Sequence, residues 1–344
     1  MGVYLTVYAA LVGLTLKVRR GFVYWVMLVG LALFSGFRYW VGCDFSGYLN
    51  NWELMRGLPP EAALAMRDPA HWLIIAILQQ WGIAYSYLNV LAAVIFFFGF
   101  HRLARRQPHP MAMLAMAFPI LIINMPMSMI RQAEAIGFLC MAFNAFVERA
   151  IFRYVLFVLF AGLFHSSAMV FLGLAPFVKL RFDITNIFLG FVLSLPGIYL
   201  LIQSLPTDVA VNRYVVTDLE SAGAPFRLLL LALTGAFYLT LIRPLWRVQF
   251  PSDYKLVTIG AWMMVALIFF LPVSSVISDR FGYYLIPLQL VILTRLPYLR
   301  DLWSRQLLII APWLILTLMF VVWLGFSWHF YQCYVPYRMG IIEG

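Results

Sequence analysis

Residues 306–328 read QLLIIAPWLILTLMFVVWLGFSW, a run of 23 positions without a charged side chain. A membrane-spanning helix needs about 20 predominantly apolar residues, so this stretch is long enough to cross a bilayer. The same character extends through the chain, because 64% of its 344 residues are hydrophobic, 11% are charged and the mean hydropathy is +0.91. Soluble domains carry about 25% charged residues. The sequence therefore predicts an all-α, polytopic membrane protein.

Similar apolar segments recur along the chain, and they predict about 11–12 transmembrane segments in one polytopic domain, residues 1–344. The segments lie at about 2–17, 21–37, 84–101, 110–126, 129–147, 154–164, 166–178, 185–203, 226–243, 255–271, 281–295 and 306–328. The stretch 154–178 is too short for two full spans and too long for one. We therefore predict a tight or re-entrant hairpin with His165, Ser166 and Ser167 at its tip.

Lysine and arginine concentrate in the cytoplasmic loops of membrane proteins, and this rule orients the segments. One arrangement places 16 of the 24 basic residues inside and both termini outside. It leaves two long external loops, about 38–68 and 203–225. Because topology accounts for most of the net charge of +10, nucleic acid is not an expected partner. Cys43 and Cys333 both fall outside, where a disulfide between them is one possibility.

The remaining eight basic residues lie outside or within the membrane, and all eight are arginine. They are Arg38, Arg56, Arg67, Arg131, Arg213, Arg227, Arg280 and Arg338. A guanidinium offers a planar fork of donors that binds phosphate bidentately, so this set suggests anion binding. For Arg56, Arg67 and Arg338 the simpler expectation is that the side chains reach lipid headgroups.

The first external loop opens with a dense polar and aromatic sequence, RYWVGCDFSGY at residues 38–48. Tyr39, Trp40 and Tyr48 have aromatic faces on which sugar rings can stack. Asp44 can accept a proton or bind a sugar hydroxyl. An interfacial aromatic belt with a charged turn is the alternative interpretation.

Ionisable groups also occur beside or within later apolar segments, where such groups normally face a cavity or a bundle interior. Arg131 and Gln132 open one span, and Glu134 is a candidate to neutralise Arg131 or Arg280. His165 lies within an apolar stretch and, as a histidine, suits general-base chemistry near neutral pH. The five histidines are scattered, so no metal or other cofactor is expected.

A third polar cluster surrounds Arg280, which is followed by Tyr283 and Tyr284. It repeats the arginine-plus-aromatic chemistry of the first loop at another predicted external helix end. Arg213 in the second loop is a further candidate for the same surface. A simple ion pair between Asp279 and Arg280 is the alternative interpretation.

Arg38-Tyr39-Trp40-Val41-Gly42-Cys43-Asp44, followed by Tyr48, resembles the R-Y-x-V-G-x-D-x-x-x-Y signature of EpsG-type proteins. These are Wzy-like polysaccharide polymerases of bacterial inner membranes. The order of later motifs is also similar: Arg131-Gln132, then Phe164-His165-Ser166-Ser167, then Arg280-Phe281-Gly282-Tyr283-Tyr284. Glu134 stands where the resemblance implies an apolar residue.

The resemblance implies transfer of a glycan from an undecaprenyl-diphosphate carrier onto the non-reducing end of another lipid-linked repeat unit. The reaction is expected at the external, periplasmic face of the bacterial inner membrane. The implied catalytic residues are His165 and Asp44, either of which is a candidate base. Arg38, Arg131 and Arg280 are implied to bind the diphosphate. The residues implied to bind the glycan are Tyr39, Trp40, Tyr48, Arg213, Tyr283 and Tyr284. Expected partners are the lipid-linked oligosaccharide and membrane lipid, and a chain-length regulator protein is left open.

Two other functions are compatible with the same residues. A glycosyltransferase that adds single sugars from a lipid-phosphosugar would also use an acid in the first external loop. A transporter or flippase of lipid-linked sugars belongs to a different class, and broken helices are a feature of such proteins. The sequence shows no internal repeat of the kind that many transporters have.

Overall fold

A computed structural model of the protein describes residues 1–181, 183–203, 223–300 and 305–340. Within these ranges the chain forms sixteen α-helices and no β-strand apart from one isolated bridge between Arg38 and Met339. Five helical segments of the described residues are long and apolar enough to cross a membrane: Ser86–Ala104, Ile130–Val147, Ala224–Gln249, Ser275–Tyr298 and Gln306–Phe326. Six shorter apolar helices accompany them. The predicted all-α, multi-pass architecture is confirmed.

The chain forms two compact units. Unit 1 comprises Met1–Met141, Leu156–Ala168 and Trp313–Gly344, and unit 2 comprises Ala142–Val155 and Met169–Pro312. The helices within unit 1 are α1 (Gly2–Thr15), α2 (Phe22–Gly36), α3 (Phe45–Leu54), α4 (Pro60–Leu64), α5 (Pro69–Gln80), α6 (Ser86–Ala104), α7 (Pro110–Ala117) and α16 (Trp328–Tyr334). The helices that include a unit boundary are α8 (Ile130–Val147), α9 (Ile151–Phe164) and α15 (Arg305–Phe326). The helices within unit 2 are α10 (Ile184–Gln203), α11 (Ala224–Phe237), α12 (Arg243–Gln249), α13 (Tyr254–Phe270) and α14 (Ser275–Arg295).

Glycines bring two spans of unit 1 together. An added Cβ at Gly99 of α6 would overlap the carbonyl oxygen of Gly137 in α8, and a Cβ at Gly137 would lie 2.6 Å from the Ile95 carbonyl oxygen. Small residues at such crossings let helix backbones approach closely in a membrane. The contact fixes α8 against α6, and α8 carries Arg131 and Glu134 at its first turns.

The first predicted external loop is folded rather than open. It contains α3 and α4, and the rings of Phe45 and Trp52 on α3 pack edge-on against Tyr85 at 5.5 and 5.7 Å. Proline occupies the first position of α4 and of α5, where its missing N–H and fixed φ suit a helix start. The loop therefore presents its side chains from short, packed helices.

The beginning of this loop is tied to distant parts of unit 1. Gly42 has φ +101°, and an added Cβ would overlap the carbonyl oxygen of Met127, so glycine is required there. Cys43 forms a disulfide with Cys333 of α16, 290 residues away in sequence. The pairing that the sequence left open is present.

The apolar stretch 154–178 forms a hairpin, as predicted. Helix α9 ends at Phe164, and 3-10 turns follow over Ser166–Leu174 and Pro176–Val178. The Tyr154 hydroxyl donates to the Phe171 carbonyl oxygen at 2.6 Å, so the chain returns toward the start of α9. His165 lies at the break between the two elements.

Unit 2 is built around α11, α13 and α14, which pack against one another. An added Cβ at Gly235 of α11 would lie 2.6 Å from the Ala261 carbonyl oxygen of α13. At one end of this group, Asp253 accepts hydrogen bonds from the Trp246 indole at 3.0 Å and from Arg295 at 2.5 Å. Residues 204–222, most of the second predicted external loop, lie outside the described residues.

Candidate functional site

Four residues of unit 1, which we call the Asp68 cluster, join three segments of the chain. The cluster consists of Arg67, Asp68, Arg131 and Ser166. Asp68 immediately precedes α5 in a left-handed conformation with φ +61°. Its Oδ2 accepts from Arg131 Nη1 at 3.0 Å, and its Oδ1 accepts from the Ser166 backbone N–H at 2.8 Å. Arg67 Nε and Nη2 donate to Ser166 Oγ at 3.0 and 2.8 Å. The end of the first loop, the start of α8 and the hairpin tip are therefore held together.

The cations of the cluster are more accessible than its anion. The side chains of Arg67 and Arg131 are 41% and 31% exposed, whereas that of Asp68 is 3% exposed. Two guanidinium groups and one carboxylate leave an excess of one positive charge. Arginine can bind phosphate oxygens through paired N–H donors, so the cluster is chemically suited to a phosphate-bearing ligand.

Tyr48 of α3 adds an aromatic wall to the cluster. The Arg131 guanidinium lies over its ring, 5.7 Å from the centroid. Burial raises the pKa of Tyr48, and Arg131 acts in the opposite direction. Asp44 precedes Tyr48 by one helical turn and is exposed, and its backbone N–H donates to Ser128 Oγ at 3.4 Å.

The predicted base His165 lies next to Ser166 in sequence and is partly exposed. Its Nδ1 is 2.7 Å from Ser167 Oγ. A histidine hydrogen-bonded through one ring nitrogen has its ring orientation and tautomer restricted by that bond. The structure thus brings Arg131, Tyr48 and the backbone beside His165 to one region of unit 1.

A second ionisable pair follows the cluster by one helical turn. His71 Nδ1 and Glu134 Oε2 are 2.9 Å apart, and both side chains are completely buried. Glu134 was one candidate to neutralise Arg131 or Arg280, and in the structure its hydrogen-bonding partner is His71. Neither His71 Nε2 nor Glu134 Oε1 finds a hydrogen-bond partner among the described residues.

Arg38 lies elsewhere in unit 1 and is completely buried. It donates to the Val41 carbonyl at 3.0 Å, the Ser35 carbonyl at 2.8 Å and Asn89 Oδ1 at 3.0 Å. Burial lowers its pKa. These bonds shape the start of the first loop, and a phosphate would have to displace them to bind Arg38. Diphosphate binding by Arg38 stays a prediction that this arrangement does not favour.

Of the two aromatic residues after Arg38, one is exposed. Trp40 has φ +52° and is 55% exposed, with its ring 5.2 Å from that of Phe45. Tyr39 is half-buried, and its N–H donates to the Arg338 carbonyl at 2.9 Å. Their sugar-binding roles stay predictions.

Arg280, Tyr283 and Tyr284 belong to unit 2, on α14. Asp279 does not depend on its neighbour Arg280 for a partner, because Arg227 Nε and Nη2 donate to its two oxygens at 2.8 and 2.6 Å. The Arg227 guanidinium lies 5.4 Å from the Tyr283 ring centroid. Both tyrosines are buried, so neither presents an open face for a sugar. Arg213 lies outside the described residues.

Sequence reasoning missed three members of this region: Arg67, Asp68 and His71. Arg67 was expected to reach lipid headgroups but instead binds Ser166. The sequence did contain a local indication of this site. Asp68-Pro69 marks the start of a short apolar helix, and His71 follows one turn later, so the two ionisable side chains lie on one face of that helix. Across residues 1–181, 183–203, 223–300 and 305–340, no group of three His, Cys, Asp or Glu side chains is placed to hold a metal ion.

Comparison with known protein families identifies the family of this chain. No curated protein and no solved structure matches the chain. The model of the EpsG family matches residues 22–339, nearly the whole chain. This range includes the first-loop signature, Arg131-Gln132 and the hairpin tip. The chain belongs to the EpsG family, a family of Wzy-like polysaccharide polymerases.

Proposed function

We propose that this polymerase transfers a glycan from an undecaprenyl-diphosphate carrier onto the non-reducing end of another lipid-linked repeat unit. The observation that carries the proposal is the Asp68 cluster, in which a buried carboxylate holds two partly exposed arginines beside the hairpin tip. A lipid diphosphate is the anionic group that such a substrate brings to the site. The reaction is proposed to occur at the external face of the bacterial inner membrane, where the positive-inside rule predicts the first loop to lie.

In this mechanism the oxygen of a hydroxyl group at the non-reducing end of the acceptor attacks the anomeric carbon of the donor sugar. The bond from that carbon to the diphosphate oxygen breaks, and the bonding pair remains on the diphosphate. Arg67 and Arg131 stabilise the charge that develops there. Asp68 orients Arg131, and Ser166 orients Arg67, before the substrate binds, so little reorganisation is needed during the reaction.

The acceptor hydroxyl must also lose a proton. We assign this role to His165, because its ring is partly exposed and its Nδ1 is oriented by Ser167 Oγ. Asp44 is the alternative base, since it is exposed one turn before Tyr48. Tyr48 contributes by holding Arg131 through its ring rather than by an open sugar-stacking surface.

The test is polymerisation by purified protein in liposomes that contain the lipid-diphosphate-linked repeat unit. Wild type is compared with Arg131→Lys, His165→Gln and Asp44→Asn. Lysine keeps the charge but loses the planar fork, so Arg131→Lys should reduce the rate about 100-fold. Loss of the general base should reduce it by a factor of about 100 to 10,000.

Arg153→Met is the matched control. Arg153 also forms an ion pair, with Glu148 at 2.6 Å, and its side chain is 57% exposed. Its removal should leave the rate within twofold of wild type. Wild-type polymerisation that survives both Arg131→Lys and His165→Gln would reject the assigned site. Movement of lipid-linked sugar across the liposome without a glycan ladder would reject the polymerase and favour a transporter.

A further inference from the structure

A large groove opens in unit 1 at the far end of α5 from the Asp68 cluster. Its volume is about 1230 Å³, and its walls are the turn between α3 and α4, the last turn of α5 and the beginning of α6. Pockets for small molecules have volumes of about 300–1,000 Å³. The groove is therefore large enough for a ligand longer than one small molecule.

The lining of the groove combines hydrogen-bonding side chains with aromatic surface. Gln79 and Gln80 supply amides, Arg56 supplies a guanidinium, and Trp52 and Tyr87 supply aromatic carbon. Tyr87 is 41% exposed, and the Arg56 side chain is 58% exposed. An amide both donates and accepts hydrogen bonds, which matches the hydroxyl groups of a carbohydrate.

One residue of the lining, Gln79, carries a polar atom without a partner among the described residues. Gln79 Nε2 donates to the Trp52 carbonyl at 2.5 Å, so the amide orientation is fixed. Its Oε1 is buried and finds no hydrogen-bond partner among the described residues. Buried polar atoms in native proteins are nearly always paired, so Gln79 is an exception among the residues that line the groove.

Two helices connect the groove to the Asp68 cluster. Asp68 and Gln79 stand at opposite ends of α5, about 16 Å apart along the helix. On α3, Tyr48 contacts Arg131, and Trp52 lines the groove one turn later. The groove therefore lies about 16 Å from the cluster along α5, a distance that several linked sugars span.

We propose that this groove binds the glycan chain of the lipid-linked donor, whose diphosphate lies at the Asp68 cluster. The proposal rests on the proposed function and adds a binding site for sugars distant from the reacting bond. Donors with several repeat units fill the groove better than donors with one. The groove therefore favours extension of long chains over joining of two single repeats.

The test uses Tyr87→Ala and Gln80→Ala, which change exposed lining side chains. Tyr331→Ala is the control, since Tyr331 is 44% exposed and does not line the groove. The first measurement is binding of free two-repeat oligosaccharide, released from its lipid by mild acid, to the protein in nanodiscs. Loss of an aromatic contact should weaken binding about five- to tenfold, with Tyr331→Ala unchanged.

The second measurement is the length distribution of the polymer. Both groove variants should shift the ladder to chains about half as long, while joining of two single repeats stays within twofold of wild type. Unchanged binding and unchanged ladders in both variants would overturn the groove proposal. Binding of the lipid-linked repeat without binding of the free oligosaccharide would also overturn it, because the substrate would then bind without a contact between its glycan and the groove.

Oligosaccharide binding is independent of catalysis, so the two proposals fail separately. If wild type binds the oligosaccharide through Tyr87 and Gln80 but forms no polymer, the groove is supported and the polymerase mechanism is rejected. If wild type forms polymer but the groove variants behave like Tyr331→Ala, the polymerase mechanism is supported and the groove is rejected.

Discussion

The buried pair of His71 and Glu134 provides the sharpest test of the structure. Their Nδ1 and Oε2 atoms are 2.9 Å apart, and both side chains are inaccessible. Removing one member of a buried pair costs about 3–5 kcal/mol because the other polar group remains buried without its partner. Glu134→Leu and His71→Phe should each reduce the free energy of unfolding by about this amount.

The double variant should behave differently. His71→Phe with Glu134→Leu removes both polar groups, including the two atoms that lack a partner among the described residues. Apolar replacements of a buried pair are often neutral in stability. We therefore expect the double variant to be within about 1–2 kcal/mol of wild type, which corresponds to a coupling free energy of at least about 4 kcal/mol.

Equilibrium unfolding in mixed detergent micelles, followed by tryptophan fluorescence, measures all four members of the cycle. The exposed pair of Glu53 and Arg56, 3.0 Å apart, is the matched control. Its coupling free energy should lie below about 1 kcal/mol, as for other exposed pairs. Additive effects of His71→Phe and Glu134→Leu, with coupling as small as in the control, would refute the buried pair.

Three further predictions concern the scaffold around the site. Gly42→Ala should destabilise unit 1 by at least about 2 kcal/mol, because φ is +101° and the new Cβ would overlap a carbonyl oxygen. Gly47→Ala is the control, because a Cβ there meets open space, and it should be nearly neutral in the same unfolding assay. Cys333→Ser should lower stability by up to about 5 kcal/mol, because the disulfide closes a loop of 290 residues, and reductant should destabilise wild type but not the variant. Gly137→Leu should separate α8 from α6 and abolish both the yield of folded protein and polymerisation. Size-exclusion chromatography measures the first and glycan ladders measure the second. A well-folded, active variant would show that the close crossing is dispensable.

The sequence predicted features that depend on local pattern. Long apolar runs predicted the helices, and polar residues inside an apolar stretch predicted the break at His165. The first-loop signature predicted the family. The helix predictions were correct because helix formation in lipid depends chiefly on the hydrophobicity of one continuous segment.

Apart from the disulfide, which was one possibility from the sequence, features that depend on pairing between distant segments were not predicted. Asp68 binds Arg131 and Ser166, which are 63 and 98 residues away. Arg38 and Arg131 looked alike in sequence, yet one is fully buried in its own hydrogen bonds and the other is partly exposed. Only the tertiary structure separates an arginine that shapes a loop from one that is available to a ligand.

Two side-chain pairs between the start of α5 and the start of α8 explain why Arg131 is held in one place. Asp68 pairs with Arg131 and, one turn later on both helices, His71 pairs with Glu134, so the acidic residue changes helix from one pair to the next. If α8 slipped by one turn, Asp68 would face Glu134 instead of Arg131, and two carboxyl groups would meet in a buried setting. Like charges so placed are strongly unfavourable. The alternation therefore allows one register of α8 against α5, and this register aims Arg131 at the accessible side of the Asp68 cluster. In this way a buried pair that never touches the substrate helps to position the cation that is proposed to bind it.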